Sequence, residues 1–194
     1  TSGPGGDFRP VWSPDGKWIA FSSDRGSTLP PAKGRWEHLQ IADVYLIRPD
    51  GSGLKRITEH GNFCGSPKWS SDSKRVIAYC MSAEETLNAR TTEDGETRLV
   101  SIDTVTGAVA GVVAGPGEKF APTLLPSGKV GYIRKDGNAP GIFYDNGEPG
   151  PKGAIRSASW SSDGRQVVFH KAVSAPPNNW SKMWSRNSQY ELVI

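Results

Sequence analysis

Short runs of β-branched, aromatic and aliphatic residues recur along the chain, each bounded by a cluster of Ser, Pro, Asp and Gly. The same run-and-turn unit returns four times. Trp12-Ser13-Pro14-Asp15-Gly16-Lys17 leads into Trp18-Ile19-Ala20-Phe21, and Trp69-Ser70-Ser71-Asp72-Ser73-Lys74 leads into Arg75-Val76-Ile77-Ala78-Tyr79. Trp160-Ser161-Ser162-Asp163-Gly164-Arg165 leads into Gln166-Val167-Val168-Phe169. A degraded copy reads Leu124-Leu125-Pro126-Ser127-Gly128-Lys129, then Val130-Gly131-Tyr132. Pro10, Pro67 and Pro122 each stand two residues before the Trp or Leu position. Each copy predicts a β-hairpin. A strand ends on a large apolar residue, the Pro presets φ in a tight turn, the Gly accepts the left-handed conformation, and a strand of β-forming residues returns.

A second pair of strands follows each hairpin. Asp43-Val44-Tyr45-Leu46-Ile47 passes through Pro49-Asp50-Gly51-Ser52-Gly53 into Leu54-Lys55-Arg56-Ile57-Thr58. Thr97-Arg98-Leu99-Val100-Ser101-Ile102 passes through Thr106-Gly107 into residues 108–113, and Gly141-Ile142-Phe143-Tyr144 passes through Asn146-Gly147 into a weaker strand near Ala154-Ile155. Four antiparallel strands make a propeller blade. One blade cannot bury its own face, so the copies must stack. The Trp residues are expected between neighbouring blades, where burying about 150–250 Å² each contributes roughly 4–6 kcal/mol gross.

The fold class is therefore all-β: a propeller of four-stranded antiparallel blades. The key positions are spaced 57, 55 and 36 residues apart, giving blades at about 7–59, 60–115, 116–156 and 157–194. The last unit reaches only Tyr190-Glu191-Leu192-Val193-Ile194, its third strand, and the Gly-rich start of the chain is unsuited to supply a fourth. The expectation is a single, partial propeller of about three and three-quarter blades, with the remaining blades in another segment or chain. A compact four-bladed closure is the alternative.

Trp-Ser-Pro-Asp-Gly-Lys-x-Ile-Ala-Phe followed by Asp-Val-Tyr-Leu-Ile-x-Pro-Asp-Gly-Ser-Gly-x-x-Arg-Ile-Thr resembles the repeat of TolB-like (WD40-like) propellers, which are related to the oligogalacturonate-lyase-like and tricorn-like propellers. The resemblance covers nearly the whole chain and implies the fold. It implies no single activity, because such folds carry function in their loops. The second unit departs in having Ser73 for Gly and is read with one extra hairpin residue. The third has lost the Trp and the Asp.

Composition agrees with an all-β, turn-rich protein: 23 Gly, 15 Pro and seven Trp in 194 residues. The formal net charge of +3 lacks the dense basic footprint of a nucleic-acid binder and leans only mildly toward acidic ligands. No apolar run approaches the roughly 20 residues that span a bilayer as a helix. The two cysteines, Cys64 and Cys80, exclude a disulfide-dense scaffold. They are equally far from the hairpin turn, so that either a cross-strand bridge or a packed pair of thiols fits, and a register shift from the extra residue would part them. Asn179-Trp180-Ser181 matches the N-glycosylation pattern, a short one that also arises by chance. No phosphate-binding Gly-rich loop or Gly-x-Ser-x-Gly elbow is present.

Candidate chemistry gathers on one face. In an up-and-down blade, the loops joining strands two and three share a face with the loops joining successive blades. The long insertions 24–42, 82–96 and 171–188 map to that face, as do all three histidines, His38, His60 and His170. These histidines are the candidate metal ligands, for one divalent metal ion. Arg25, Glu37 and His38 are the candidate catalytic residues, with Arg25 as a carboxylate clamp, and Trp36, Gln40 and Lys171 are the candidate ligand contacts. Arg134, Lys135 and Asp136 end a strand at the same face. Solvated loop residues without a shared site are the competing explanation. The function expected from the resemblance is a secreted or periplasmic platform that binds a protein partner or an acidic glycan. The alternative is a metal-dependent carbohydrate-active enzyme of the polysaccharide-lyase kind.

Overall fold

The computed structural model describes residues 3, 5–32, 37–59, 61–92, 96–135, 140–173 and 189–194. The first blade is β1 (Asp7–Trp12), β2 (Ile19–Ser23), β3 (Asp43–Ile47) and β4 (Lys55–Arg56). The second is β5 (Phe63–Trp69), β6 (Arg75–Met81), β7 (Arg98–Asp103) and β8 (Val109–Val113). The third is β9 (Lys119–Leu124), β10 (Val130–Arg134), β11 (Gly141–Tyr144) and β12 (Pro149–Lys152), and the fourth comprises β13 (Ile155–Trp160), β14 (Val167–Ala172) and β15 (Tyr190–Val193). Each sheet is an antiparallel meander in chain order. Across sheets β1 neighbours β5, β5 neighbours β9 and β9 neighbours β13, so the first strands lie innermost and the sheets radiate from them as a propeller.

The repeated turn is held by its own side chains. The Ser13 hydroxyl donates to the Asp15 carboxylate and accepts from Trp18 N–H, while Lys17 N–H donates to Asp15 and Gly16 N–H closes the turn on Ser13 C=O. Ser70 with Asp72, and Ser161 with Asp163, repeat these bonds. The hydroxyl and then the backbone donor hold each carboxyl below the usual carboxylate range. The Gly position has φ of 70°, 85° and 71° at Gly16, Gly128 and Gly164, and Ser73 adopts 60° in the same place. The turn geometry thus overrides the side-chain preference at this one position.

Three expectations are corrected. The hairpin of the second unit carries no extra residue: Trp69 pairs with Val76 as Trp12 pairs with Ile19, and the third unit is the shorter one, pairing Leu124 with Val130. The fourth strand of the third blade is Pro149–Lys152, upstream of Ala154-Ile155, and Ile155 instead opens β13. Its two prolines are tolerated because an outer edge strand needs donors on one side only. The insertion 82–96 is not bare loop. It holds α1 (Ala83–Thr92), started by Ser82, whose hydroxyl accepts from Glu85 N–H at 3.1 Å. Ser82 and Glu85 form the Ser-x-x-Glu pattern of a helix start, and Glu84 and Glu85 favour its positive end.

Three apolar clusters fill the spaces between successive blades. Val44, Leu46, Trp69 and Val76 meet between blades one and two, Phe63, Ile77, Leu99 and Tyr132 between two and three, and Ile133, Ile142, Ile155 and Phe169 between three and four. Cys64 pairs directly with Cys80 across β5 and β6, their Cα atoms 4.2 Å apart, and the two form a disulfide. The bridge closes a hairpin that its turn already holds. Replacing both cysteines by alanine is therefore expected to lower stability by about 2 kcal/mol, toward the low end for such loops, as measured by urea denaturation with and without reductant.

Candidate functional site

Each innermost strand is interrupted by a β-bulge, and the bulged residue has a left-handed φ: 49° at Arg9, 47° at Ser66, 49° at Ala121 and 54° at Ser157. The first three stand immediately before Pro10, Pro67 and Pro122. A bulge bends the strand and re-aims the groups beside it. At Ser66 it turns the backbone N–H toward the loop of the first blade. Glu37, in a 3-10 turn over Glu37–Leu39, brings its buried carboxylate there. It accepts from Ser66 N–H at 2.7 Å, from the Ser66 hydroxyl at 2.8 Å and from the Ser22 hydroxyl at 2.5 Å, and Arg9 Nε lies 3.6 Å away. Gly65 makes this approach possible, since a Cβ there would sit 2.7 Å from Glu37 Oε1.

His38 follows, and the charges of two cations from different blades reach it, those of Lys135, just past β10, and of Arg9 in β1. Desolvation first, then the charges of Lys135 and Arg9, lower its pKa to about 4. The residue stays open to solvent, so screening limits what this contributes to stability. Lys135 is itself lowered by desolvation, against the pull of Glu118, whose carboxylate lies 3.8 Å away. Its ammonium also sits 4.0 Å from the centre of the Phe120 ring. Tyr79 lies beneath. Burial first, and then Glu37, raise its hydroxyl well above the usual range. Arg90 of α1 donates from Nε to Leu39 C=O at 2.8 Å, so the inserted loops of blades one and two brace each other over this group.

The charge state of His38 gives a pH prediction. Its folded pKa lies below the free value of 6.5, so on acidification the unfolded chain takes up this proton first. The stability it contributes is complete above about pH 6.5 and is lost as the pH falls toward 4. A proton NMR titration of His38 is expected to show the neutral ring at pH 7 and a midpoint well under 6. A midpoint near 6.5 would refute the arrangement.

The expected residues divide as follows. Glu37 and His38 meet in this group, where Glu37 is engaged by the bulge. Arg25 is elsewhere: it pairs with Asp7 at 2.6 Å, donates to Ser23 and covers the Phe21 and Tyr45 rings of the first blade. Gln40 is buried, and its side-chain oxygen accepts from Ala32 N–H at 3.0 Å, bracing the loop. His170 pairs with Arg156 and Leu192 within the fourth blade. Lys171, with Lys152 and Arg165, rims a groove of about 500 Å³ floored by Val167, Phe169 and Ile194. Trp36, His60 and Asp136 lie outside the described residues. Among the described residues no three His, Cys, Asp or Glu stand together as a metal site. Arg9, Ser66 and Tyr79 are the members of the group that the sequence did not single out. The position before each repeated Pro was the available signal for the first two.

No family model matches the chain. It is 31% identical over 81 residues to an uncharacterised protein of Agrobacterium fabrum, covering 41% of this chain and 23% of that protein. It is 25% identical over 164 residues to dipeptidyl-peptidase 5 of Porphyromonas endodontalis, covering 84% of this chain and 16% of that one. The chain thus spans less than a quarter of these curated relatives. Its fold superposes on TolB from Acinetobacter baumannii with a TM-score of 0.64 at 18% identity, over 99% of this chain and 41% of that one. With four radial antiparallel sheets, the repeated Ser-x-Asp turn and that superposition, the chain is a β-propeller of TolB-like fold.

Proposed function

We propose that this chain is a binding platform that works outside the cytoplasm, in the periplasm or the extracellular space, and holds a carboxylate-bearing protein segment or glycan on its long-loop face. The observation that carries this reading is that Arg9 of the first blade lies 3.6 Å from the Glu37 carboxylate, and that its charge and that of Lys135, from the third blade, both act on the adjoining His38. Two cations beside a neutral imidazole suit a carboxylate, with guanidinium and ammonium supplying charge-assisted hydrogen bonds. Glu37 already models the interaction from within the chain, seated against Arg9 and the Ser66 amide. The Cys64–Cys80 disulfide supports the location, because such bridges persist in oxidising compartments.

Calorimetric titration with oligogalacturonate and with a poly-glutamate peptide tests this. Binding of one of them, weakened at least tenfold in Arg9→Ala/Lys135→Ala and by added salt, is the expected result. Binding of neither by the unaltered chain would overturn it.

His38 favours a second reading. An imidazole kept unprotonated near pH 7, flanked by groups that hold a carboxylate, is placed to act as the base for the proton beside a uronic carboxylate. This is the lyase alternative. Because the described residues include no metal-ligand cluster, no step is assigned to a metal. Unsaturated product absorbance on incubation with polygalacturonate, lost in His38→Ala, is the outcome required.

A further inference from the structure

Two hydroxyls stand where the repeat elsewhere puts apolar side chains. By strand register, Ser22 of blade one corresponds to Ile133 of blade three, and the bulged Ser66 of blade two corresponds to Ala121 of blade three. Ser22 is fully buried. Its hydroxyl, together with the amide and the hydroxyl of Ser66, aims three hydrogen-bond donors at one carboxylate between blades one and two. Arg9 adds a guanidinium from the solvent side, being itself exposed. Gly65 leaves room for the anion, because a Cβ there would meet the Glu37 carboxylate. Donors gathered in a buried seam are costly unless an acceptor meets them, so the strands themselves create a demand for an anion at this point.

The carboxylate that meets the demand comes from outside those strands. Arg9, Ser22 and Ser66 belong to β1, β2 and β5, and the seat they form needs nothing from the loop that carries Glu37. That loop has anchors of its own: Gln40 accepts from Ala32 N–H, and Arg90 donates to Leu39 C=O. Neither anchor uses the Glu37 side chain, which can swing out while the loop stays braced. A carboxylate entering as Glu37 leaves would meet the same donors, and an exchange of like for like leaves no buried donor unpaired.

We propose that Glu37 is a displaceable occupant: Ser22, Ser66 and Arg9 form a seat for a ligand's carboxylate, and Glu37 keeps that seat closed until the ligand takes its place. Glu37 is then a built-in competitor, lowering the apparent affinity by the fraction of molecules in which the seat is open. The inference rests on the carboxylate-binding reading of the long-loop face, and adds where the carboxylate sits and what regulates access to it.

Glu37→Ala tests it with two probes, acetate and the poly-glutamate peptide. Sodium acetate, compared with sodium chloride at equal concentration, is expected to raise the melting temperature of Glu37→Ala and to leave that of the unaltered chain unchanged. Adding Ser22→Ala to Glu37→Ala is expected to remove the acetate effect. In calorimetric titration, Glu37→Ala is expected to bind the peptide at least tenfold more tightly than the unaltered chain. Circular dichroism checks folding, and Glu37→Gln, which keeps the length of the side chain but is a weaker occupant, gives the same changes at smaller size if Glu37→Ala does not fold. No acetate effect on a folded Glu37 variant would overturn the proposal, whatever the peptide does. Acetate stabilisation with peptide binding no tighter than that of the unaltered chain would also overturn it. Acetate stabilisation with no peptide binding by any form would uphold the seat and overturn the platform reading instead.

Discussion

Replacing Gly131 by valine is expected to destabilise the protein by about 3 kcal/mol, at the upper end of the range for overpacking a filled site. The cause is contact rather than backbone strain. The Cβ alone would sit 2.6 Å from one Trp160 ring carbon and 2.9 Å from another. The ring is rigid, and it lies among Ile133, Ile155 and Val167 in the seam between blades three and four, so relief means moving the indole out of that seam. A loss of this size lowers the melting temperature by roughly 6–12 °C in a chain of this length. Trp160→Leu in the Gly131→Val background is expected to recover part of the loss, since Leu124 opposite Ile77 is the pairing that blades two and three already use. A double-mutant cycle that shows no coupling between the two positions would contradict the packing account.

The second large effect is expected at Lys119. This lysine opens β9 and is buried, and the three N–H donors of its ammonium group are shared among four backbone carbonyls within reach: Gly115 at 2.7 Å, Gly117 at 2.9 Å, Pro116 at 3.0 Å and Thr97 at 3.1 Å. Its backbone is tied to Thr97 as well, each residue bonding the other through the Thr97 hydroxyl. The cation thereby gathers the connection from blade two to blade three around one point. Lys119→Met keeps the length of the side chain and removes every donor. Each buried acceptor left without a partner costs about 1–3 kcal/mol, and water can reach some of the four, so a loss of about 3 kcal/mol is expected in urea denaturation. A loss below about 1 kcal/mol would mean that solvent replaces the ammonium readily and that the cage is not structural.

The disulfide and His38 predictions probe different parts of the molecule. The first concerns the second blade alone, and the second concerns a point where loops from blades one and two meet a strand of blade three.

The fold was legible in the sequence because its instructions are local and repeated. A turn that bonds its own carboxylate to its own hydroxyl and amides, as Ser13, Asp15 and Lys17 do, needs no information from elsewhere in the chain. Three copies of it, with the degraded turn at Leu125–Lys129, set the blade count and the register. The same locality explains the slips. The fourth strand at Pro149–Lys152 has a composition that reads as a turn and forms because β11 offers it a ladder. The helix at Ala83–Thr92 was signalled by Ser82 and Glu85, yet it stands inside a β pattern that directs attention to strands.

The site was legible only in part. Sequence placed Glu37 and His38 on the long-loop face. Which partners they would meet depended on distances between blades. Arg9, Ser66 and Lys135 come from three blades, and Arg9 and Lys135 are 126 positions apart in the chain. The bulges that aim Arg9 and Ser66 arise from strand pairing, which no single segment encodes. Arg25 and Gln40 have the residue types of a binding site, but folding engages them with Asp7 and the Ala32 amide. By itself, then, the sequence determined the architecture, the turn chemistry and the face on which the long loops gather, because those follow from neighbours along the chain. Tertiary structure decided which side chains converge, which are buried, and that Cys64 meets Cys80, because those are set by the packing of one blade against the next and by the register of paired strands.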